Sequence, residues 1–577
     1  MKHERVPHSF VLCAKEREPA SKYAGRETEP ERFWEGHDFS RAAKPQIRSR
    51  PRRDQDFGWR SASISANKPQ IQPRPRWDQP SQPKVFPVDA SRNQMYYRRN
   101  PRRSCPGGWN RSGEMASMTN KARLLLLILT LASTASAEWN EKVLYAFQDV
   151  PDGATPVGGL VFDQAGNLYG ATANGGSSSC AGPGQCGTVF QLAPPAKKGG
   201  SWTESVLYVF KGHDYNDGAT PEGGLVIDSL GNLYGTTAYG GAGNCLLLGA
   251  AVGCGTVYEL SPPAQKGDAW TETILCSFPT AKQGYFPWGD LVFDSAGNLY
   301  GATQFGGGHG TTCNGFYQYC GAIFELSPPE TKGGKWTEKV LYGFKGVAPG
   351  AQFGDGANPN GGLILDDKGA IYGTTYFGGN NQKGRCEGGV GGTGCGIVFE
   401  LAPPNHAGGK WTEKVLHQFN GQDGSNSAAG VVFNRKGDLY CTTAAGGEGN
   451  FPSGSIVQFV PQSNGKWMAH ILHSFQDNGD GGQPRAGLVF DAKGNLYGTA
   501  SGGGSFGGGT IFRLRPETGG SWGFTGLYDF KAPPDGSYPA AGLVFDKSGN
   551  MYGITQYGGN GQACGHYGCG TVFEISP

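Results

Sequence analysis

The sequence lacks the motifs of the common enzyme classes. It contains no Ser/His/Asp order, nucleophile elbow, HExxH segment or phosphate-binding glycine loop. It also has no Cys-x-x-Cys pair and no nearby histidine spacing that would indicate zinc. Helical spacing of apolar residues is absent as well, which argues against a helical fold. We therefore expect no metal and no cofactor, and we expect an all-β protein.

Charge is distributed unequally along the chain. Residues 1–114 hold 24 Lys and Arg against 13 Asp and Glu, whereas residues 138–577 hold 24 against 35. The first segment is rich in Arg, Pro, Gln and Ser and has no apolar period, so it cannot bury a core. We expect residues 1–117 to be disordered and to result from an over-extended start of translation. The acidic remainder makes nucleic acid and anionic lipid poor partners.

Residues 118–137, MTNKARLLLLILTLASTASA, have the order of a secretory signal peptide. Lys121 and Arg123 precede an apolar run, and Ala135-Ser136-Ala137 provides a cleavage site. The alternative is a genuine extension before a single membrane anchor, but the apolar run is short for a span. We expect a secreted or periplasmic protein with no stable membrane span after cleavage.

Cysteines support export, because ten of the twelve after residue 137 form close pairs. In an exported protein these are expected to be structural disulfides that stiffen loops. Metal binding is the alternative, but it would need four ligands from separate repeats. Cys276 and Cys441 have no close partner and are predicted to be thiols. The predicted pairs are Cys180 with Cys186, Cys245 with Cys254, Cys313 with Cys320, Cys386 with Cys395, and Cys564 with Cys569.

One unit is repeated seven times in residues 138–577. A Leu-Tyr or equivalent dipeptide marks the register, with its tyrosine at Tyr169, Tyr234, Tyr300, Tyr372, Tyr440, Tyr497 and Tyr552. Each unit contains four short strand-like runs separated by Gly, Pro, Asn and Asp. We name these strands a (GLVFD), b (NLYGAT), c (GTVFEL) and d (WTEKVLYGF). Repeats of this length indicate a solenoid or a propeller.

The ends of the repeat array favour a closed ring. The array begins with an additional strand d, EWNEKVLYAF, and ends after a strand c, GTVFEISP. The first strand can therefore complete the last sheet and remove exposed edges. The sequence predicts an all-β, seven-bladed β-propeller of four-stranded antiparallel blades, closed by the N-terminal strand pairing with the last blade.

The unit GGLVFDQAGNLYGATANGG followed by GTVF and Pro-Pro resembles the GloVer tandem-repeat family. These are exported bacterial choice-of-anchor repeat proteins. The resemblance covers residues 138–577 and implies a propeller-like surface protein. It implies no reaction.

The two faces of the predicted ring differ in their loops. The a–b and c–d turns are nearly constant, whereas the b–c and d–a connections vary and form the face where binding is expected. Aromatic residues recur there just before a Gly-Gly pair, at Tyr239, Phe305, Phe377 and Tyr557, and Trp288 lies in a d–a connection. They are candidate ligand-binding residues for sugar or peptide faces. The alternative is that they pack under the glycine-rich loops.

These features favour a non-catalytic binding or scaffold protein, a monomer whose stapled loops contact a glycan, a peptide or a cell-envelope partner. The alternative is an extracellular glycoside hydrolase or lyase, which would need two carboxylates at a usable separation. Asp290, which replaces a repeated glycine, is the acid to test for that reaction. We expect no catalytic residue.

Overall fold

A computed structural model describes most of the chain from residue 139 to its end. The described ranges are 139–177, 186–247, 250–265, 267–280, 282–308, 320–331, 333–347, 353–380, 386, 394–406, 408–477, 479–531, 533–560 and 562–577. Residues 1–137, with the predicted disordered segment and signal peptide, lie outside them. Within these ranges no helix is long and apolar enough to cross a membrane.

The described residues form seven antiparallel sheets, each with strands a, b, c and d in that spatial order. This confirms the predicted all-β, seven-bladed propeller. The strands of blades 1 to 4 are Ala154–Phe162, Leu168–Asn174, Thr188–Ala193 and Thr203–Val209; Val226–Ile227, Leu233–Thr237, Thr256–Ser261 and Thr271–Ser277; Val292–Phe293, Leu299–Phe305, Ala322–Ser327 and Thr337–Gly343; and Ile364–Leu365, Ile371–Thr375, Ile397–Ala402 and Thr412–Gln418.

The remaining blades follow the same order. Their strands are Val432–Phe433, Leu439–Thr443, Ser455–Pro461 and Trp467–Ser474; Val489–Phe490, Leu496–Ala500, Thr510–Pro516 and Trp522–Asp529; and Val544–Phe545, Met551–Thr555, Thr571–Ser576 and, for strand d of blade 7, Asn140–Ala146. Short strands and 3₁₀ turns occur in the loops, at Gly218–Ala219, Tyr239–Gly240, Leu246–Leu247, Ala250–Ala251, Tyr285–Pro287, Phe353–Ala357, Phe377–Asn380, Gly536–Ser537, Tyr557–Gly558, His213–Tyr215 and Gln562–Tyr567.

The ring closes as the sequence predicts. Asn140–Ala146 pairs antiparallel with Thr571–Ser576, with Asn140 opposite Ser576 and Ala146 opposite Thr571. The last blade is therefore built from both ends of the repeat array. Because the first strand covers the final strand c, blade 7 has the same outer strand d as the other blades, and its strand c is not left as an open edge.

The a–b turn is fixed by an aspartate and a glycine in six blades, and by Asn434 and a glycine in blade 5. In blade 1, Asp163 accepts hydrogen bonds from the Asn167 backbone N–H (2.8 Å), the Asn167 side chain (2.7 Å) and the Tyr169 hydroxyl (3.1 Å). Gly166 has a φ of +88°, which favours glycine. The repeated tyrosine and aspartate thus have a structural role in this turn.

The apolar core lies between neighbouring blades rather than inside one sheet. Seven buried clusters are present among the described residues, one at each blade interface. At the closure between blades 7 and 1, Phe147 packs edge-on against Phe190 with ring centroids 5.1 Å apart. The strand-d tryptophan contacts the repeated tyrosine of the preceding blade, as Trp202 does with Tyr552 at 5.9 Å. Each blade is therefore stabilised chiefly by its neighbours.

Five blade interfaces share an acidic arrangement, and we call them the acid interfaces. Between blades 7 and 1, the Tyr145 hydroxyl donates to Asp152 (2.6 Å), and Glu204 from strand d of blade 1 lies beside this pair. One Glu204 carboxyl oxygen is buried without a hydrogen-bond partner among the described residues. The other four acid interfaces have the corresponding residues, given in the order strand d, d–a segment and strand-d glutamate of the next blade. They are Tyr208, Asp217 and Glu272; Cys276, Gln283 and Glu338; Tyr342, Asp355 and Glu413; and Tyr528, Asp535 and Glu141.

The two remaining interfaces replace tyrosine by histidine, and we call them the histidine interfaces. Between blades 4 and 5, His417 Nε2 lies 2.8 Å from Asp423. Between blades 5 and 6, His473 Nε2 lies 3.1 Å from Asp480. The position of the strand-d glutamate is occupied by Ala469 and Phe524, respectively. Phe524 stacks on His473 with centroids 3.8 Å apart and planes 7° apart.

Candidate functional site

Seven d–a segments, which connect the last strand of one blade to the first strand of the next, meet around the ring axis. Each contains a non-glycine residue with φ between +53° and +61°. The backbone N–H of that residue donates to a carbonyl of the preceding blade over 2.7–3.1 Å. These contacts use main-chain atoms, which residues of different types can supply. Asn358 and Asn426 each add a side-chain bond to the preceding blade, to the Gln304 and Tyr376 carbonyls. The seven residues are Thr155, Thr220, Phe286, Asn358, Asn426, Gln483 and Tyr538.

Two residues per blade, nearly all of them small, surround the axis directly after these segments, and we call them the collar. They are Gly158-Gly159, Gly223-Gly224, Gly289-Asp290, Gly361-Gly362, Ala429-Gly430, Ala486-Gly487 and Ala541-Gly542. A Cβ atom on Gly289 would lie 2.6 Å from the Gly361 carbonyl oxygen, and one on Gly223 would lie 2.7 Å from the Gly289 carbonyl oxygen. Neighbouring backbones therefore approach too closely there for a larger side chain. This packing explains the first glycine of the pair in blades 2 and 3. It does not explain the second glycine throughout, because a Cβ atom on Gly159 or Gly487 would meet nothing within 4 Å.

A cavity of about 1070 Å³ opens above the collar, and we call it the mouth. Residues of the d–a and b–c connections line it, so it lies on the variable face, as the sequence predicts for a binding surface. Each of the seven blades contributes one residue to the lining at the same place, immediately before its first collar residue. These seven residues, which we call the rim, are Val157, Glu222, Trp288, Asn360, Ala428, Arg485 and Ala540.

Four of the five predicted aromatic residues line the mouth: Tyr239, Trp288, Phe305 and Phe377. Tyr557 does not line it; its side chain is 37% exposed and its ring lies 5.8 Å from that of Tyr538. Tyr538 takes its place in the lining.

The lining aromatics also pack on one another, as the alternative interpretation expects. Tyr239 contacts Phe286 edge-on at 4.8 Å, and Phe305 stacks on Tyr285 at 5.5 Å. Each of these rings therefore has one part against protein and another part towards the mouth. Ligand contact through them stays a prediction.

Asp290 occupies the second collar position of blade 3, where the other six blades have glycine. Its Oδ1 accepts a hydrogen bond of 2.5 Å from the Gly224 backbone N–H. The side chain is exposed to the cavity, yet the protein around the cavity desolvates the carboxyl and so raises its pKa; the Gly224 bond opposes this only in part. Asp290 therefore forms part of the floor of the mouth.

Sequence reasoning missed three polar residues of the rim: Glu222, Asn360 and Arg485. Burial raises the pKa of Glu222 to about 8, so this side chain is mainly protonated at neutral pH. The signal that could have found them is variation at one register position. The residue two before the final collar position is of six types in seven repeats, although its neighbours are nearly constant.

The described disulfides are Cys245–Cys254, Cys386–Cys395 and Cys564–Cys569, as predicted. Cys186 and Cys320 are also disulfide-bonded, and their predicted partners Cys180 and Cys313 lie outside the described residues. Cys276 and Cys441 are free thiols.

The second cysteine of each predicted pair has a role that the sequence did not reveal. Its backbone carbonyl accepts the hydrogen bond from the next blade, as Cys395 does from Asn426 at 2.9 Å and Cys569 from Thr155 at 2.8 Å. Ser453 and Gly508 supply this carbonyl in blades 5 and 6. The disulfides therefore restrain the contacts between blades beneath the rim as well as their own loops.

Among the described residues, no group of three or more His, Cys, Asp or Glu side chains is placed to hold a metal ion. The polar chemistry of the mouth consists of carboxyl, amide and guanidinium groups with aromatic rings around them. Such a lining suits reversible contacts with a polar organic ligand.

Comparison with known proteins identifies the repeat. A family model described as the Gloeobacter/Verrucomicrobia repeat matches residues 385–577. No curated protein matches the chain.

Solved structures include distant likenesses. A Dyadobacter fermentans protein of unknown function is 13% identical, covering 68% of this chain and 98% of its own, with a TM-score of 0.35. A Xanthomonas campestris gluconolactonase is 14% identical, covering 56% and 78%, with a TM-score of 0.29. A luciferin-regenerating enzyme is 11% identical, covering 76% and 96%, with a TM-score of 0.35. At this level of likeness none of them informs the function of this chain. The resemblance predicted from the motifs is confirmed for residues 385–577, which match the Gloeobacter/Verrucomicrobia repeat and form part of the propeller.

Proposed function

We propose that this chain is a non-catalytic binding protein that holds a glycan or a peptide in the mouth of its propeller. The observation that carries the proposal is the rim, where a uniform main-chain frame presents a different side chain from almost every blade into a cavity of about 1070 Å³. Variable side chains held on a rigid frame and directed into a cavity are typical of a binding surface.

The composition of the mouth supports capture of a polar ligand. Tyr239, Trp288 and Phe377 offer ring faces or edges, and Asn360 and Glu222 offer hydrogen-bonding groups. Aromatic surface combined with a few polar groups is typical of sites that bind sugars and peptides. The volume lies at the upper end of the ~300–1,000 Å³ range of small-molecule pockets, which leaves room for more than one sugar ring or residue.

Export is part of the same proposal. Disulfides form and persist in oxidising compartments, and this chain forms them at several blades. Residues 118–137 would direct export and be removed. N-terminal sequencing of secreted protein tests this: a chain beginning at Glu138 supports cleavage, and a chain retaining residues 118–137 contradicts it.

A hydrolase or lyase is the second candidate, because Glu222 and Asp290 line the same cavity. The acids of a retaining or inverting glycosidase differ in protonation, one being an anion. Here desolvation raises the pKa of both carboxyls, and neither contributes to the pKa of the other. Binding without reaction therefore suits the mouth better.

A glycan and peptide array probed with the oxidised protein tests the proposed function. We expect binding to a defined ligand class, and we expect Trp288→Ala to weaken it at least tenfold. Lys436→Ala, on the opposite face in the a–b turn of blade 5, is the matched control and should bind normally.

Two results would contradict the proposal. Equal loss in Trp288→Ala and Lys436→Ala would place the ligand elsewhere. Release of shortened glycan products, abolished by Asp290→Asn, would establish the enzyme instead.

A further inference from the structure

Arg485 is the basic side chain of the described mouth lining, and its bonding is incomplete. One terminal nitrogen donates to Gln483 Oε1 over 3.2 Å. Its Nε is inaccessible to water and has no hydrogen-bond partner among the described residues. No ion pair to Arg485 is formed within those residues either. Because Nε is inaccessible, a ligand can meet only the terminal nitrogens of this guanidinium. A guanidinium that lines a cavity without an ion-pair partner is suited to an anionic acceptor from a ligand.

The acids of the mouth do not neutralise Arg485. Burial raises the pKa of Glu222 to about 8, so below that pH it is mainly an uncharged hydrogen-bond donor and acceptor. Desolvation disfavours the anionic form of Asp290 as well, and its Oδ1 is already bonded to the Gly224 N–H. The guanidinium therefore dominates the electrostatics of the rim near neutral pH, and the mouth attracts anions rather than cations.

The geometry of a guanidinium selects among anions. Its planar pair of N–H groups matches the two oxygens of a carboxylate. Arg485 lies on blade 6, whereas Trp288 lies on blade 3, across the ring. A ligand that uses both must extend over the mouth, and the cavity volume permits it.

The remaining rim groups favour hydroxyls over an ammonium group. A protonated carboxyl at Glu222 and an amide at Asn360 both donate and accept, as a hydroxyl does. An amino acid or peptide amine would instead need an anion, which burial of Glu222 and Asp290 disfavours. Trp288 supplies a flat apolar surface of the kind on which sugar rings stack.

We propose that the mouth binds an oligosaccharide containing uronic acid, with a carboxylate on Arg485, a sugar ring on Trp288, and hydroxyls on Glu222 and Asn360. This inference rests on the proposed binding function and specifies its ligand class.

Calorimetric titration of the oxidised protein with trigalacturonic acid and with its methyl ester tests the proposal. The two ligands share their rings and differ in charge. At pH 6 we expect the acid to bind at least tenfold more tightly than the ester. Arg485→Gln should bring the affinity for the acid down to that for the ester, which should itself change less than twofold.

Two further variants control this experiment. Arg435→Gln removes an exposed arginine on the opposite face and should leave both affinities unchanged. Affinity for the acid should fall between pH 7 and 9 as Glu222 ionises and repels the ligand, and Glu222→Gln should remove that fall. Thermal melting confirms that each variant is folded.

The outcomes separate the two proposals. Equal affinity for acid and ester, or an unchanged preference in Arg485→Gln, overturns the uronic acid assignment but leaves a glycan-binding mouth. Binding of acidic peptides without binding of either sugar overturns the assignment in favour of a peptide carboxylate. Failure of these sugars together with an empty glycan and peptide array overturns both.

Discussion

The acid interfaces and the histidine interfaces connect strand d of one blade to the next blade with different side chains. Six of the seven interfaces link a strand-d side chain to the following d–a segment through an aspartate, as Tyr342 does with Asp355 and His473 does with Asp480. The acid type adds a glutamate from the next blade, whereas the histidine type has Ala469 or Phe524 there. Glutamate occurs with tyrosine at four interfaces and with Cys276 at the fifth, whereas histidine occurs with an apolar residue.

The pairing has a physical reason. Beside an aspartate, a half-buried glutamate is tolerable when it retains its proton, and desolvation raises the pKa of Glu204 and Glu413 to about 7. Against Phe524 the imidazole is desolvated, which lowers the pKa of His473 despite the opposing effect of Asp480. At neutral pH the His473–Asp480 contact is therefore chiefly a hydrogen bond of a neutral imidazole. The acid interfaces and the His473 interface should therefore respond to pH in opposite directions.

The largest expected effect comes from removing the closing strand. Deletion of residues 138–147 removes Glu141 and Tyr145 and so breaks two acid interfaces while leaving both histidine interfaces intact. We expect aggregation and loss of cooperative melting, because an open edge and an uncovered cluster are exposed.

The control restores the strand at the other end. Residues 138–147 are moved behind Pro577 through a copy of the loop at residues 194–200, which joins strands c and d in blade 1. This variant should be soluble. A deletion that stays soluble and melts at the normal temperature would contradict closure of the ring.

The second largest expected effect comes from removing one disulfide. Replacing Cys386 and Cys395 by serine should lower the free energy of unfolding by about 2–3 kcal/mol, by the loop-entropy relation for a closed loop of this length. Hydrogen exchange should show lost protection at the Asn426 amide, which bonds to the Cys395 carbonyl. The Gln483 amide, bonded to Ser453 in an unstapled blade, is the internal control. Equal loss at both amides would argue against a local role.

A smaller effect concerns the acid interfaces and pH. The pKa of Glu141, Glu204, Glu272 and Glu413 is about 7 when folded and 4.5 when unfolded, chiefly through desolvation. Between these values the unfolded chain releases protons that the folded chain keeps, so stability is full below pH 4.5 and declines up to about pH 7. With partial solvent screening we expect about 1 kcal/mol per site.

Chemical denaturation at pH 5 and pH 8 measures this decline. Glu204→Gln should reduce it and stabilise the protein at pH 8. Glu330→Gln, at an exposed loop position, should leave the difference unchanged. A decline of full size in Glu204→Gln would show that the glutamate does not carry it.

The smallest effect exchanges one interface type for the other. The pKa of His473 is lowered in the fold, so its interface loses stability as pH falls below the ordinary histidine value of 6.5. His473→Tyr together with Phe524→Glu should remove this acid sensitivity and add a decline towards pH 7. The expected change is below about 1 kcal/mol in each direction. Retained acid sensitivity would assign it to another group.

Much of the fold could be predicted from the sequence because its signals are local and repeated. The Asp163 turn, the four strands per unit and the pairing of the first strand with the last sheet each follow from residue types at a fixed register. The role of the second cysteines could not be predicted in this way, because the bond from Asn426 to the Cys395 carbonyl joins two blades.

The site was predicted less completely. Tyr239, Phe305 and Phe377 were found because aromatics stand out at one register position, but the same rule placed Tyr557 in the lining and missed Tyr538. Glu222 and Arg485 were missed because a lone charged residue in a loop is usually solvated. Only the curvature of the ring brings blades 2 and 6 to one cavity.

The seven left-handed residues before the rim have a consequence for how such proteins diversify. All seven share a bond to the preceding blade between a main-chain donor and a main-chain acceptor, so residues as different as Thr155, Phe286 and Gln483 make it. A change of side chain at the adjoining rim position therefore leaves the bonds between blades in place. Ligand specificity can change one blade at a time, and a repeat protein of this kind can acquire new ligands while its fold stays the same.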